Sequence, residues 1–235
     1  MVAALCVEAL GKDRVVGVMM PNGFQADLSD AAAICDYLDI DAICINIEQF
    51  VYKMLVEFID SGCYYDVSKK HKRILPAVPS EQTKINLPPR IRMTTLYAVS
   101  QSINGRVACT DNLSESYIGY STRWGDNVGD FAPIADLTSE EVVAVGDALG
   151  LPYELTHKVP SDGLCGKTDE DRFGFTYEVL NRYITTGKCE DEEIKKKIDA
   201  MHKKNLFKQE PIPRYELMGS AYFEDGKLAP ICIAP

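Results

Sequence analysis

Apolar positions in the first sixty residues fall into alternating runs of two kinds. The segments Arg14 to Met20 and Asp41 to Ile47 are short and densely apolar, which is typical of buried strands. Leu28 to Leu38 and Glu48 to Ile59 carry apolar residues three and four positions apart, which is typical of helices. An alternation of strand and helix predicts a parallel sheet covered by helices. We therefore expect an α/β fold with a doubly wound, Rossmann-like sheet.

The pattern changes between Cys63 and Asn86, where polar and basic residues predict a long loop. Its basic cluster, Lys69 to Arg73, is expected to be either solvated or in contact with a phosphate or a partner subunit. A helix is expected to begin at Pro88 and Pro89, because a first turn tolerates prolines. A strand is then expected at Arg106 to Cys109.

The second half of the chain is predicted to be mainly helical. Helices are expected at Asn112 to Ile118, at Phe173 to Ile184 and at Asp191 to Leu206. A further helix has a capping box, with Thr138 as the N-cap and Glu141 three residues later.

Composition, net charge and the length of apolar runs indicate which classes of protein this chain does not belong to. The 235 residues are 46% hydrophobic, with a formal charge of −10 and a pI near 4.8, so we expect one folded domain and no nucleic-acid partner. No apolar run approaches the ~20 residues of a spanning helix and no secretory signal is recognisable, so we expect a cytoplasmic protein without membrane contact. The eight cysteines are expected to be reduced, and Cys165 is interpreted as structural rather than nucleophilic.

Candidate chemistry follows the predicted strand at Arg106 to Cys109. In open α/β sheets ligands bind beyond the carboxyl ends of the strands, where Thr110 and Glu115 are expected to lie. Mg²⁺ usually takes one or two carboxylates together with phosphate oxygens, which suits Glu115, although this carboxylate could equally complement a helix dipole. Arg90, in the first turn of the helix expected at Pro88, could pair with a phosphate or carboxylate, or form a surface salt bridge.

Four motifs, taken in order, carry a family resemblance. They are Arg90 to Tyr97, Thr110 to Glu115, Gly119 to Arg123 and Thr168 to Glu170. With these motifs the chain resembles the ammonia-dependent NAD synthetases, members of the N-type ATP pyrophosphatase superfamily with an adenine nucleotide alpha hydrolase-like fold. The resemblance implies a domain over residues 1–215 and leaves a tail, 216–235, of unknown role.

The resemblance also implies a reaction and its site. ATP adenylates the nicotinate carboxylate of deamido-NAD, pyrophosphate leaves, and ammonia attacks the activated carbonyl to give NAD and AMP. Mg²⁺ is the implied metal and a homodimer the implied assembly, and no side chain is required as a catalytic base. The implied ligands are Thr110 and Ser161 for ATP, Glu115 for Mg²⁺, and Arg90, Arg123, Asp130, Phe207 and Lys208 for deamido-NAD.

Two departures from the family are visible in the sequence. The Ser-Gly-Gly-x-Asp-Ser phosphate loop is absent, and Met1 to Leu10 is interpreted as the helix that follows it. We therefore expect an N-terminally incomplete fold, either a truncated sequence or a disabled relative that binds a dinucleotide without turnover. Another ATP pyrophosphatase-type amide ligase is the remaining alternative. Ser139 stands where many NAD synthetases have a lysine, and Lys158 or Lys167 is the candidate replacement.

Overall fold

The two N-terminal strands and the helix between them form a parallel crossover unit. The structure is a computed structural model that describes residues 1–25, 27–64, 78–158 and 168–213. Strands β1 (Val16–Met19) and β2 (Asp41–Cys44) pair in parallel, with Val16 opposite Asp41. Both predicted strands are confirmed, at shorter lengths. The helices are α1 (Val2–Leu10), α2 (Leu28–Leu38), α3 (Glu48–Tyr64), α4 (Glu81–Ser102), α5 (Leu113–Ile118), α6 (Ser139–Ala148), α7 (Tyr153–Thr156), α8 (Asp169–Phe173), α9 (Tyr177–Thr186) and α10 (Glu192–Asn205).

Helix α2 packs tightly on the sheet at Gly17. A Cβ on Gly17 would lie 2.6 Å from the Cys35 Sγ, so only glycine permits this approach. The predicted helix bounds of α2 are confirmed, and a parallel pair of strands connected through a packed helix is the repeating unit of an α/β sheet.

The predicted start of α4 at Pro88 is wrong. The helix begins at Glu81, where the Ser80 side chain accepts a hydrogen bond from the Thr83 N–H at 3.1 Å. Pro88 and Pro89 therefore lie inside the helix, where two backbone donors are missing. Packing offsets this loss, because Pro88 is buried and the Pro89 Cβ would lie only 2.9 Å from a Cβ on Gly125. The predicted loop at 63–86 is correspondingly too long at both ends.

The segment Arg106 to Cys109 is not the strand that its apolar sequence predicts. Only Ala108 forms a bridge, in parallel, with Phe131. The Asp130 carboxylate accepts a hydrogen bond from the Val107 N–H at 2.8 Å, and the Val107 carbonyl accepts one from the Asp130 N–H at 2.7 Å. These contacts replace a continuous ladder, but Thr110 still follows the bridge directly, as expected.

The main core lies among α5, α8, α9 and α10. It is built from six buried residues, Ile118, Phe173, Phe175, Tyr177, Leu180 and Ile198. The single helix predicted over Phe173 to Ile184 is wrong, because Gly174 ends α8 in a left-handed conformation and Thr176 caps a new helix. The break turns the aromatic rings around Phe173 into the core.

Some predicted features lie in parts of the chain that the structure does not describe. The basic cluster Lys69 to Arg73, the candidate Ser161, Cys165 and the tail 216–235 lie outside the described residues. Within the described ranges, no helix is long and apolar enough to cross a membrane.

Candidate active site

Glu115 lies in a capping box at the start of α5. Its carboxylate accepts a hydrogen bond from the Asn112 N–H at 3.1 Å, and the Asn112 side chain accepts one from the Glu115 N–H at 3.0 Å. Burial, together with the negative charges of Asp111, Asp169 and Asp126, raises the pKa of Glu115 to about 7. The carboxylate is thus both part of a cap and poorly solvated, and a cation beside it would be favourable.

Asp111, beside the predicted ATP ligand Thr110, is buried with one oxygen unpaired. The residue is 8% exposed, and within the described part of the chain its Oδ2 has no hydrogen-bond partner. Burial and then the charge of Asp126 raise the pKa of Asp111 to about 6, against hydrogen bonds from Ser121 and Asn127. Thr110 itself is exposed at the mouth of this region.

Asp169 completes an acidic region defined by Asp111, Glu115, Asp126 and Asp169. It is 5% exposed and accepts hydrogen bonds from the Tyr120 and Tyr177 hydroxyls at 3.2 and 3.3 Å. Burial and the charges of Glu115 and Asp169 raise the pKa of Tyr177, so this phenol stays a donor. Among the residues with described positions, no group of three His, Cys, Asp or Glu side chains is arranged to hold a metal ion.

Arg123 forms the centre of a second, cationic and aromatic region. Its guanidinium lies 4.9 Å from the Trp124 ring centre and 5.4 Å from the Phe207 ring centre. The Nη2 donates to the Glu210 carbonyl at 3.2 Å, while the buried Nε has no partner among the described residues. Arg90 joins the region, with its Nε 3.4 Å from the Arg123 carbonyl. Four of the predicted deamido-NAD ligands therefore lie together, namely Arg90, Arg123, Phe207 and Lys208.

Lys208 connects the two regions. Its Nζ donates to the Gly119 carbonyl at 2.7 Å and to the Ser121 carbonyl at 2.8 Å, which fixes the loop that carries Arg123. Burial lowers the pKa of Lys208, and the charges of Asp126 and Asp111 oppose that shift. The cation therefore lies within electrostatic range of the acidic region.

Asp130, the remaining predicted dinucleotide ligand, has a structural contact. One of its oxygens accepts the Val107 N–H, and the side chain is otherwise exposed. Its predicted role stays a prediction.

Ser139 is held in a buried hydrogen-bond network. The Asn181 Nδ2 donates to the Ser139 Oγ at 3.1 Å, and the Ser139 N–H donates to the Ser114 Oγ at 2.9 Å. Lys158, a candidate to supply the family's missing charge, forms an ion pair with Asp30 instead. The other candidate, Lys167, lies outside the described residues.

Sequence reasoning missed four residues of these regions. They are Asp111, Trp124, Asp126 and Asp169. Asp111 is within the Thr110 to Glu115 motif, and Trp124 directly follows Arg123, so adjacency to a motif was the available signal. The burial of Asp111 and Asp169 and the proximity of the charged groups depend on tertiary packing, which the sequence does not display.

Comparison with known proteins decides the family. The model of the NAD synthase family matches residues 1–212. The chain belongs to the NAD synthase family. An NH(3)-dependent NAD(+) synthetase of Carboxydothermus hydrogenoformans is 34% identical over 211 residues, which cover 87% of this chain and 82% of that relative. The corresponding protein of Methanococcus aeolicus is 38% identical over 187 residues, covering 78% and 68% of the two chains.

Solved structures agree with the fold. An NMN synthetase from Francisella tularensis superposes with a TM-score of 0.78 at 27% identity, covering 92% of this chain and 84% of that one. An NH3-dependent NAD synthetase from Campylobacter jejuni gives a TM-score of 0.65 at 27% identity, covering 92% and 83%. The predicted fold class, an adenine nucleotide alpha hydrolase-like α/β fold, and the family resemblance are both confirmed.

Proposed function

We propose that this chain is an ammonia-dependent NAD synthetase, a ligase that amidates deamido-NAD at the expense of ATP. The observation that carries the proposal is the match to NAD synthase over residues 1–212, with NH(3)-dependent relatives at about 34% identity. The geometry supports it, because a cationic, aromatic region suited to an anionic dinucleotide adjoins an acidic region in which Asp111 and Asp169 are buried.

The proposed reaction has two steps, and the residues of the cationic, aromatic region bind one of its substrates. The nicotinate carboxylate attacks the α-phosphorus of ATP and pyrophosphate leaves; ammonia then attacks the acyl adenylate and AMP leaves. Arg123, Arg90 and Lys208 hold the anionic dinucleotide, and Thr110 and Ser161 are proposed ATP contacts. Fixed cations of this kind stabilise charge that develops on phosphate oxygens. Positioning of the activated carbonyl supplies the remainder of the acceleration, so no side-chain nucleophile is required.

Mg²⁺ fits the acidic region. The unpaired, buried Oδ2 of Asp111 and the poorly solvated carboxylate of Glu115 are anionic oxygen ligands of the type that Mg²⁺ prefers. Glu115, with Asp111 as a neighbour, would hold the ion, and phosphate oxygens would complete its ligands. When bound, the ion would neutralise charge on the triphosphate.

The function is tested by supplying ATP, Mg²⁺, ammonia and deamido-NAD and measuring NAD and AMP. We expect the two products in equal amounts, and a reduced yield with the Arg123→Met variant. The matched control is Arg182→Met, which removes only an exposed ion pair with Glu190. Formation of AMP with another carboxylate, but not with deamido-NAD, would identify a different amide ligase. Tight binding of deamido-NAD without NAD formation would identify a non-catalytic relative.

A second candidate substrate is the mononucleotide, deamido-NMN. The observation that favours it is the TM-score of 0.78 with the NMN synthetase, against 0.65 with the C. jejuni NAD synthetase. The same assay, run with each substrate alone, separates the two by their kcat/KM values.

The protein is proposed to act as a homodimer. Helix α3 exposes Phe50, Tyr52, Met54 and Phe58, and beside it an apolar groove of about 550 Å³ lies between β2 and α4. Exposed apolar surface of this extent is typical of an interface, and a second copy of the chain is the proposed occupant. A Phe58→Glu variant is expected to be monomeric by light scattering, and a Tyr153→Glu variant, which changes an exposed aromatic residue elsewhere, is expected to stay dimeric. A wild-type monomer at micromolar concentration would contradict the proposal.

The cytoplasmic location expected from the sequence stays a prediction.

A further inference from the structure

Trp124 has a backbone conformation that its residue type disfavours. The Gly125 N–H donates to the Thr122 carbonyl at 2.8 Å and closes a four-residue turn, in which Trp124 is the third residue with φ of 64°. A positive φ at this turn position normally selects glycine or asparagine, and a bulky residue there is an outlier. Strain of this kind is maintained at functional sites when the surroundings impose it.

One face of the Trp124 ring packs against the Arg123 guanidinium. The Arg123 guanidinium lies 4.9 Å from the ring centre and is itself placed by Phe207 and by the Glu210 carbonyl. Gly125, the next residue, is so close to Pro89 that a side chain would clash, which fixes the turn against α4.

Despite this contact, the Trp124 ring is not buried. The residue is 48% exposed, and the neighbouring Phe207 is 51% exposed. A large apolar ring normally gains stability by burial. A strained and exposed indole that contacts the Arg123 guanidinium, with Phe207 and Arg90 adjoining that arginine, is instead a surface suited to a flat anionic ligand.

We propose that Trp124 is a substrate-binding residue that stacks on a planar heteroaromatic ring of the deamido-nucleotide. The inference rests on the proposed function for the identity of the ligand and adds the residue that recognises its ring. Two rings of deamido-NAD have this chemistry, the pyridine of the nicotinate and the purine of the adenosine, and the experiment distinguishes them.

Trp124 is the only tryptophan in the chain, so its fluorescence reports on this residue alone. Deamido-NAD, deamido-NMN and AMP are each titrated without ATP or ammonia, while emission and, by calorimetry, binding are measured. We expect deamido-NAD to quench the emission. Quenching by deamido-NMN would assign the stacked ring as the pyridine, and quenching by AMP would assign it as the purine.

Variants test the same contact independently of fluorescence. A Trp124→Gly variant removes the ring and relieves the positive φ, so it should melt at a higher temperature yet bind deamido-NAD about 10- to 100-fold more weakly, the range expected for a base stacked on an aromatic side chain. Trp124→Phe should retain most of the affinity. Tyr153→Leu, at an aromatic residue that is 70% exposed on α7, should leave the affinity for deamido-NAD unchanged.

The outcomes are distinguishable from failure of the proposed function. The inference would be overturned if deamido-NAD bound the wild-type protein without changing its emission and bound Trp124→Gly with unchanged affinity. This holds even if the enzyme forms NAD. Quenching and weakened binding in the variant would support it even if no NAD is formed. Absence of binding by all three ligands would overturn it as well.

Discussion

Two capping-box carboxylates of this protein, Glu115 and Glu141, should affect stability in different pH ranges. Glu115 and Glu141 each accept a hydrogen bond from the N-cap N–H of their helix, but Glu115 is partly buried and Glu141 is exposed. Burial raises the pKa of Glu115 from its ordinary 4.5 to about 7, whereas hydrogen bonds from Thr138 lower the pKa of Glu141. The perturbation is Glu115→Gln, which keeps an acceptor oxygen for the cap and removes the charge.

The magnitude follows from the two pKa values of Glu115. Below pH 4.5 the carboxyl is protonated in both the folded and the unfolded chain and contributes no penalty. As the pH rises from 4.5 to about 7, the unfolded chain loses its proton first, so the free energy of unfolding falls. At about 1.4 kcal/mol for each tenfold change in the ionisation equilibrium, the full penalty above pH 7 is up to about 3 kcal/mol.

Urea unfolding of the metal-free protein at pH 4.5 and pH 8 is the assay. Relative to wild type, Glu115→Gln should gain up to about 3 kcal/mol between these two pH values. The matched control, Glu141→Gln, should change little relative to wild type over this interval, because hydrogen bonds lower the pKa of Glu141 and place its pH-dependent contribution below pH 4.5. Equal effects of Glu115→Gln at both pH values would refute the reasoning.

Three further substitutions test the packing around the site. Lys208→Met removes two hydrogen bonds to loop carbonyls, so it should raise the KM for deamido-NAD at least ~10-fold in steady-state kinetics. The control Lys203→Met, at an exposed lysine of α10, should leave this KM unchanged. Asn181→Leu leaves the Ser114 hydroxyl without its acceptor and should cost about 1–3 kcal/mol in denaturant unfolding; an unchanged midpoint would contradict the network. Leu180→Ala, at a fully buried core position, should cost about 2–5 kcal/mol in the same measurement, and a smaller loss would mean that the core collapses around the cavity.

The sequence predicts a helix or strand correctly where a single local pattern is strong. The apolar runs of β1 and β2, the bounds of α2 and the Thr138 capping box were all confirmed. The start of α4 is predicted wrongly because Pro88 is typical of a first helical turn, although Ser80 provides the cap eight residues earlier. Packing of Pro89 against the turn at Gly125 overrides the local rule, and this contact is between residues far apart in sequence.

The candidate site was predictable only where a family motif named the residue. Arg90, Arg123, Phe207 and Lys208 were expected to share a ligand and do lie together. The unpaired oxygen of Asp111 had no sequence signal, since an aspartate beside a motif is usually solvated and its burial comes from packing.

Pyrophosphate exchange tests the central claim most directly. Labelled pyrophosphate, ATP and Mg²⁺ are incubated with the enzyme and deamido-NAD in the absence of ammonia, so that only the adenylation step and its reversal can occur. If the carboxylate of deamido-NAD is adenylated, label should enter ATP when deamido-NAD is present and should not enter when it is omitted or replaced by NAD. Label that enters ATP at the same rate without deamido-NAD, or no labelling by an enzyme that forms NAD, would contradict the account.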